Sequence, residues 1–144
     1  MTTRDATPSD YSEVYDPEAD FDSRYSRATI ARIAPHVLAG ERVLELGCAT
    51  GLMTAELAAR GARITAVDRS DAYLARARAR GLAGVRFVAA GLDAPGWGAR
   101  TGDGFSPVLA CHLIHGLPGA VGTLRRAGDL PAPRPPVPLS PPDP

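Results

Sequence analysis

The stretch RVLELGCATGLMTAEL, residues 42–57, decides the fold. It opens on an apolar run, turns through Gly47 and Gly51, and continues with Met53, Leu57 and Ala58 on one face at helical spacing. That is the pattern of a buried strand, a tight glycine turn and a packing helix. Two readings remain open at this point: a cradle for a nucleotide cofactor, or a close connection that holds no ligand.

The pattern repeats downstream. ARITAVDR (62–69) predicts a second strand, SDAYLARARARG (70–81) a helix that buries Tyr73, Leu74 and Ala77, and VRFVAAG (85–91) a third strand. Gly61 and Gly81 close the two helices. Strands separated by helices of this length predict repeated βαβ units and a parallel sheet, an α/β layered fold. Arg76, Arg78 and Arg80 read as a solvated helix face, with an anion site as the alternative. Upstream, residues 23–38 predict a helix carrying Tyr25, Ile30, Ile33, Val37 and Leu38, kinked or ended near Pro35. After the third strand, LDAPGWGARTGDGF (92–105) predicts a surface loop, Val108 to Leu113 a fourth buried strand, and residues 117–130 a weak short helix.

The two ends differ in composition. Residues 1–22 hold seven acids against a lone Arg4, yet carry Tyr11, Val14, Tyr15 and Phe21; they read as an acidic N-terminal segment or a lid. Residues 131–144 contain eight prolines in fourteen positions and read as an extended or disordered tail. Residues 23–130 are the expected ordered domain, one core for a chain of 144 residues.

Composition narrows the function classes. Sixteen arginines, no lysine and sixteen acids give zero formal charge, so no global field favours nucleic acid or an anionic membrane. Cys48 and Cys111 have no neighbours at metal-ligand spacing, so no metal site is expected. The N-terminus lacks a signal-peptide core and no apolar run approaches the 18 or so residues that span a bilayer, which predicts a soluble, cytoplasmic chain.

The glycine turn gains meaning from two acids. Asp68 lies 21 residues after Gly47, at the end of the second strand, where a carboxylate can accept both ribose hydroxyls of an adenosine group. Its plainer role is to cap the next helix, as Thr50 can cap the one after the turn. Glu45 sits inside an apolar strand two residues before the turn, where an unpaired carboxylate is costly. An acid there disfavours pyrophosphate and suits a cationic cofactor, which points from NAD toward S-adenosylmethionine.

With these residues in place, the sequence resembles the class I S-adenosylmethionine-dependent methyltransferases. VLELGCATG (43–51) is similar to the family's E/D-x-G-x-G-x-G turn, with Ala49 for the middle glycine. ITAVDRS (64–70), VRFVAAGLDAP (85–95) and FSPVLACHLIHGLP (105–118) are similar to its second, third and fourth motifs. The resemblance implies a Rossmann-like three-layer sandwich with a mainly parallel sheet, here incomplete, with about four strands instead of seven. It implies cofactor contacts from Glu45, Gly47, Ala49, Gly51, Asp68, Arg69, Leu92 and Asp93, with Asp68 on the ribose. Gly91 stands where the third motif carries its adenine-binding acid, and Asp93 lies two residues on. LPAPRPPVPLS (130–140) stands where the family has L-x-P-G-G-x-L-x-x-S, with prolines in place of glycines and strand residues.

The expected function is methyl transfer from S-adenosylmethionine to a small-molecule acceptor, inactive if the C-terminal half of the fold is lost. The alternative is a non-catalytic cofactor-binding remnant or interaction module. His112 and His115 are the candidates for a general base. Tyr11, Tyr15 and Tyr25 can pack over the cofactor or simply into the core. No nucleic-acid or membrane partner is expected; self-association through an exposed sheet edge is.

Overall fold

A computed structural model of the chain describes residues 10–94 and 96–110. Its centre is a parallel sheet of β1 (Arg42–Leu46), β2 (Arg63–Asp68), β3 (Val85–Ala89) and β4 (Val108–Leu109) in the order β3-β2-β1-β4. The helices are α1 (Asp20–Ile33), α2 (Leu52–Ala59), α3 (Asp71–Ala79) and α4 (Trp97–Thr101). The α/β, Rossmann-like reading of the sequence is thus the fold observed.

The strands read as apolar runs because both faces of the sheet are covered. Val43, Ile64 and Ala66 point to one face, where they meet Ala34, Val37, Met53, Leu57 and Leu74 from the α1, α2 and α3 side. Leu44, Leu46, Val67 and Val88 point to the other, where Leu92, Trp97 and Phe105 cover them. The alternation follows the two-residue period of a strand. Each fully buried leucine or valine here contributes roughly 1.5–3 kcal/mol.

Four details sharpen or extend the sequence reading. The first helix begins at Asp20 and its α-helical hydrogen bonds end at Ile33, after which Pro35 sits in a short 3-10 turn, Ala34–His36. A proline has no N–H to lose early in such a turn, so it ends the helix without a kink. The glycine-rich segment after β3 contains α4, which buries Trp97 and Thr101 to 2% exposure. Gly96 and Gly102 flank this helix, and the large indole supplies the burial that its short length cannot. Pro107 precedes β4 and contributes only its carbonyl, which accepts from Leu44 N at 3.1 Å. Finally, residues 10–18 lie against α3, described below. The rest of the fourth strand, the helix predicted at 117–130, Cys111 and the proline-rich segment lie outside the described residues.

The sheet's topology positions the site. The chain steps outward from β1 to β2 to β3, then returns to place β4 on the other side of β1. Open parallel sheets bind ligands at such a reversal, beyond the carboxyl ends of the strands. The glycine turn follows β1 and Asp68 ends β2, so both stand there. Among the described residues β3 is an outer strand, and Arg86 on it donates to the carbonyls of Arg100 and Thr101. No helix among the described residues is long and apolar enough to cross a membrane.

Candidate functional site

The turn is built from left-handed residues at alternate positions. Gly47, Ala49 and Gly51 have φ of 75°, 47° and 85°. Gly51 has a second constraint: a Cβ there would lie 3.2 Å from Ala77 Cβ, so α2 and α3 approach through the missing side chain. Ala49 is the only non-glycine residue with positive φ among the described residues, and L-residues pay about 1–2 kcal/mol in that region. Ala49→Gly is therefore expected to raise stability by about 0.5–1 kcal/mol, after the added freedom of the unfolded chain is subtracted. A thermal melt should show the midpoint rising by about 2–4 °C, and an unchanged or lower midpoint would contradict the strain.

Hydrogen bonds lock the turn onto the end of β2. Gly47 N and Cys48 N both donate to Val67 O, at 2.7 and 3.0 Å, and Gly51 N donates to Cys48 O at 3.0 Å. Asp68 Oδ2 accepts from Ala49 N and Oδ1 from Ser70 N, each at 2.9 Å. Asp68 is thus the clasp between the two strand ends. Burial pushes its carboxyl above the ordinary range, against the pull of the Ser70, Ala49 and Arg69 N–H groups. Helix α3 is capped by Ser70, whose Oγ accepts from Tyr73 N, so Asp68 does not fill the capping role. Nor does Thr50 cap α2. Gly51 occupies that position without a side-chain bond, and Thr50 Oγ1 is buried without a partner among the described residues.

Glu45 is 4% exposed and accepts a 2.6 Å hydrogen bond from Thr54 Oγ1 on α2. Burial pushes its carboxyl up to about 7; the Thr54 bond opposes the rise and the Asp68 charge adds to it. Thr54 is a partner that the sequence reading missed, since only the αL turn brings the first turn of α2 over β1. Cys48, beside it, is buried and its thiol is pushed up by desolvation, which makes it an inert filler.

The remaining candidates fall around this centre. Arg69 follows Asp68 with an exposed side chain. Leu92 is 5% exposed in the second core cluster, just beyond β3. Asp93 is exposed, and a Cβ on Gly91 would lie 2.8 Å from its Oδ1, so its carboxylate folds back over the glycine. Glu45, Gly47, Ala49, Gly51 and Asp68 are brought together; Arg69, Leu92 and Asp93 flank them at the same end of the sheet. His112 and His115 lie outside the described residues. No group of three potential metal ligands occurs among the described residues.

Two of the three arginines in and just after α3 are paired. Arg76 pairs with Asp16 at 3.2 Å and with Glu18, and Arg80 pairs with Glu18. Asp10 Oδ2 accepts from Ser70 Oγ at 2.9 Å, and Tyr15 O accepts from Tyr73 OH at 2.5 Å. The acidic segment therefore runs as a strap along α3, with Tyr15 41% exposed. The only sequence signal for this was charge complementarity between an acidic stretch and an arginine-rich helix.

Comparisons with known proteins agree with this geometry. A family model described as a methyltransferase domain matches residues 43–128, more than half of the chain. The ubiquinone biosynthesis O-methyltransferase of Stutzerimonas stutzeri is 28% identical over 94 residues, 65% of this chain and 40% of the relative. Among solved structures, an S-adenosylmethionine-dependent methyltransferase from Mesorhizobium loti superposes with a TM-score of 0.62 at 26% identity, covering 74% of this chain and 48% of that one. A DhpI–SAM–HEP complex gives 0.66 at 25% identity, over 85% and 56%. The chain thus spans about half or less of the length of these relatives. Sheet order and family match converge: the chain belongs to the methyltransferase domain family, of the class I type whose cofactor is S-adenosylmethionine.

Proposed function

We propose that the chain binds S-adenosylmethionine across the carboxyl ends of β1, β2 and β3 and transfers its methyl group to a small-molecule acceptor. The observation that carries the reading is Asp68, fixed by Ala49 N and Ser70 N with Glu45 buried nearby. A carboxylate has about four acceptor positions, so Asp68 keeps acceptor capacity for a ribose diol beyond its backbone N–H partners. Glu45 supplies buried negative potential for a cationic ligand, and Thr54 keeps its carboxyl in place. The first turn of α2, which lacks a side-chain cap, offers N–H groups for the carboxylate of the cofactor's amino-acid end. Asp93, folded over Gly91, is the acceptor for the adenine amino group, and Leu92 and Arg69 border the adenosine.

When bound, S-adenosylmethionine supplies a methyl group on a sulfonium that is already a good leaving group. The protein's task is then alignment of the acceptor, with a base where the acceptor is a hydroxyl. The name of the Stutzerimonas relative supports an oxygen acceptor. His112 and His115, just after β4, are the candidates for the base.

Calorimetric titration with S-adenosylhomocysteine tests the first half of the reading. A folded sample that gives no heat at millimolar ligand sinks it. Incubation with methyl-labelled cofactor and a panel of small phenols, acids and amines tests the second. Labelled product on a phenol is the expected result, whereas binding without any product selects the non-catalytic alternative.

A further inference from the structure

We propose that Arg80 is a positioning residue that couples the acidic N-terminal strap to the cofactor turn, so that seating the strap tightens the turn. The inference rests on the cofactor-binding reading above for its consequence, but its geometry stands without a ligand. Arg80 follows α3 and its guanidinium has two partners on two different structures. Nε donates to the carbonyl of Thr50, inside the turn, at 2.7 Å. Nη2 donates to Glu18 of the strap. A guanidinium is a rigid plane, so the strap and the turn are held by one body that cannot reorient toward either without moving the other.

The stem of Arg80 completes the tie. Its Cδ would lie 3.5 Å from a Cβ on Gly51, so the aliphatic chain packs where the turn has no side chain of its own. Thr50 is fully buried, and this carbonyl contact is the side-chain bond that holds its peptide. Glu18 is in turn shared with Arg76, which also binds Asp16. Arg76 touches the strap without touching the turn, which separates the two roles. At the other end of the strap Asp10 holds Ser70, whose N–H orients Asp68. The strap is thus fastened at both ends to groups one step from the site, and Arg80 is the link to the glycine side.

The ion pairs are partly exposed, with side-chain accessibilities between 26% and 56%, so salt competes with them. Hydrogen exchange on the cofactor-free chain reads the coupling directly at the amides of Gly47, Cys48, Ala49 and Gly51. Glu18→Gln should speed exchange at these four amides by about tenfold, and half-molar NaCl should do the same in the parent. In an Arg80→Ala background, neither change should have a further effect. Arg76→Ala should raise cleavage of the strap by glutamyl endopeptidase and leave the turn amides slower than in Glu18→Gln. Arg80→Lys, which keeps the charge but cannot bridge both partners, should behave like Arg80→Ala. With ligand, Glu18→Gln should bind S-adenosylhomocysteine roughly fivefold more weakly than the parent, and Arg80→Ala should abolish that difference. Turn amides indifferent to Glu18→Gln, or a Glu18→Gln effect undiminished without Arg80, overturns the proposal. A parent that shows the exchange coupling but binds no ligand overturns the functional reading and leaves this one standing.

Discussion

Asp68→Ala is expected to weaken S-adenosylhomocysteine binding by about 100-fold or more. Two charge-assisted hydrogen bonds to a ribose diol contribute roughly 1.5 kcal/mol or more each, which sets that scale. The substitution also strips Ala49 N and Ser70 N of their acceptor, so the turn itself loosens. Some loss of thermal stability should therefore accompany the loss of affinity. Asparagine is a poor rescue, because one end of its amide would present N–H groups to a donor already there. Calorimetry on samples whose melting shows them folded measures the effect. Affinity within threefold of the parent would mean that Asp68 serves only as the clasp between β1 and β2.

Glu45→Gln should produce two large effects of opposite sign. In the cofactor-free chain the carboxyl titrates near 7, above the 4.5 of the free side chain, because it is buried. The folded chain keeps a proton that the unfolded chain releases between those values. Its contribution is complete below pH 4.5 and is lost as the pH rises through 7, a change on the order of 3 kcal/mol. Glutamine retains an acceptor for Thr54 and has no charge to bury. Urea denaturation should show the parent losing stability from pH 5 to pH 8 and the variant nearly flat across that range.

For binding, the sign reverses. A cationic ligand favours ionised Glu45, so its binding below pH 7 releases a proton and affinity rises toward pH 8 in the parent. Glu45→Gln should lose that dependence and bind roughly 10–100-fold more weakly at pH 8. A variant that is both less stable and equally tight would place the charge of Glu45 outside the binding energetics.

Much of the sheet was legible because its signals are local. The apolar runs of β1 and β2, the αL glycines that follow α2 and α3, and the spacing from Gly47 to Asp68 all lie within two adjoining βαβ units. The α4 helix was not legible, since its short stretch contains Gly98 and is bounded by Gly96 and Gly102, which erases any periodicity. The role of Thr50 was misread because Gly51, at φ 85°, takes the start of α2 and leaves the threonine inside the turn. Least visible was the strap, whose bonds join residues 58 to 62 positions apart. Seen alone, Arg76 and Arg80 look solvated; only their distant partners make them structural.

The turn's occupied amides also bear on how an anionic ligand can approach the site. Successive N–H groups around left-handed residues form a nest that ordinarily attracts a phosphate. Here Val67 O takes the N–H groups of Gly47 and Cys48, Asp68 takes that of Ala49, and Cys48 O takes that of Gly51. Four of the turn's N–H groups are thus taken by the protein's own oxygens. A pyrophosphate would have to evict a carboxylate to enter, and would meet its charge on the way. An anion at this end of the sheet is therefore left the N–H groups at the start of α2, since those four are occupied before any ligand arrives.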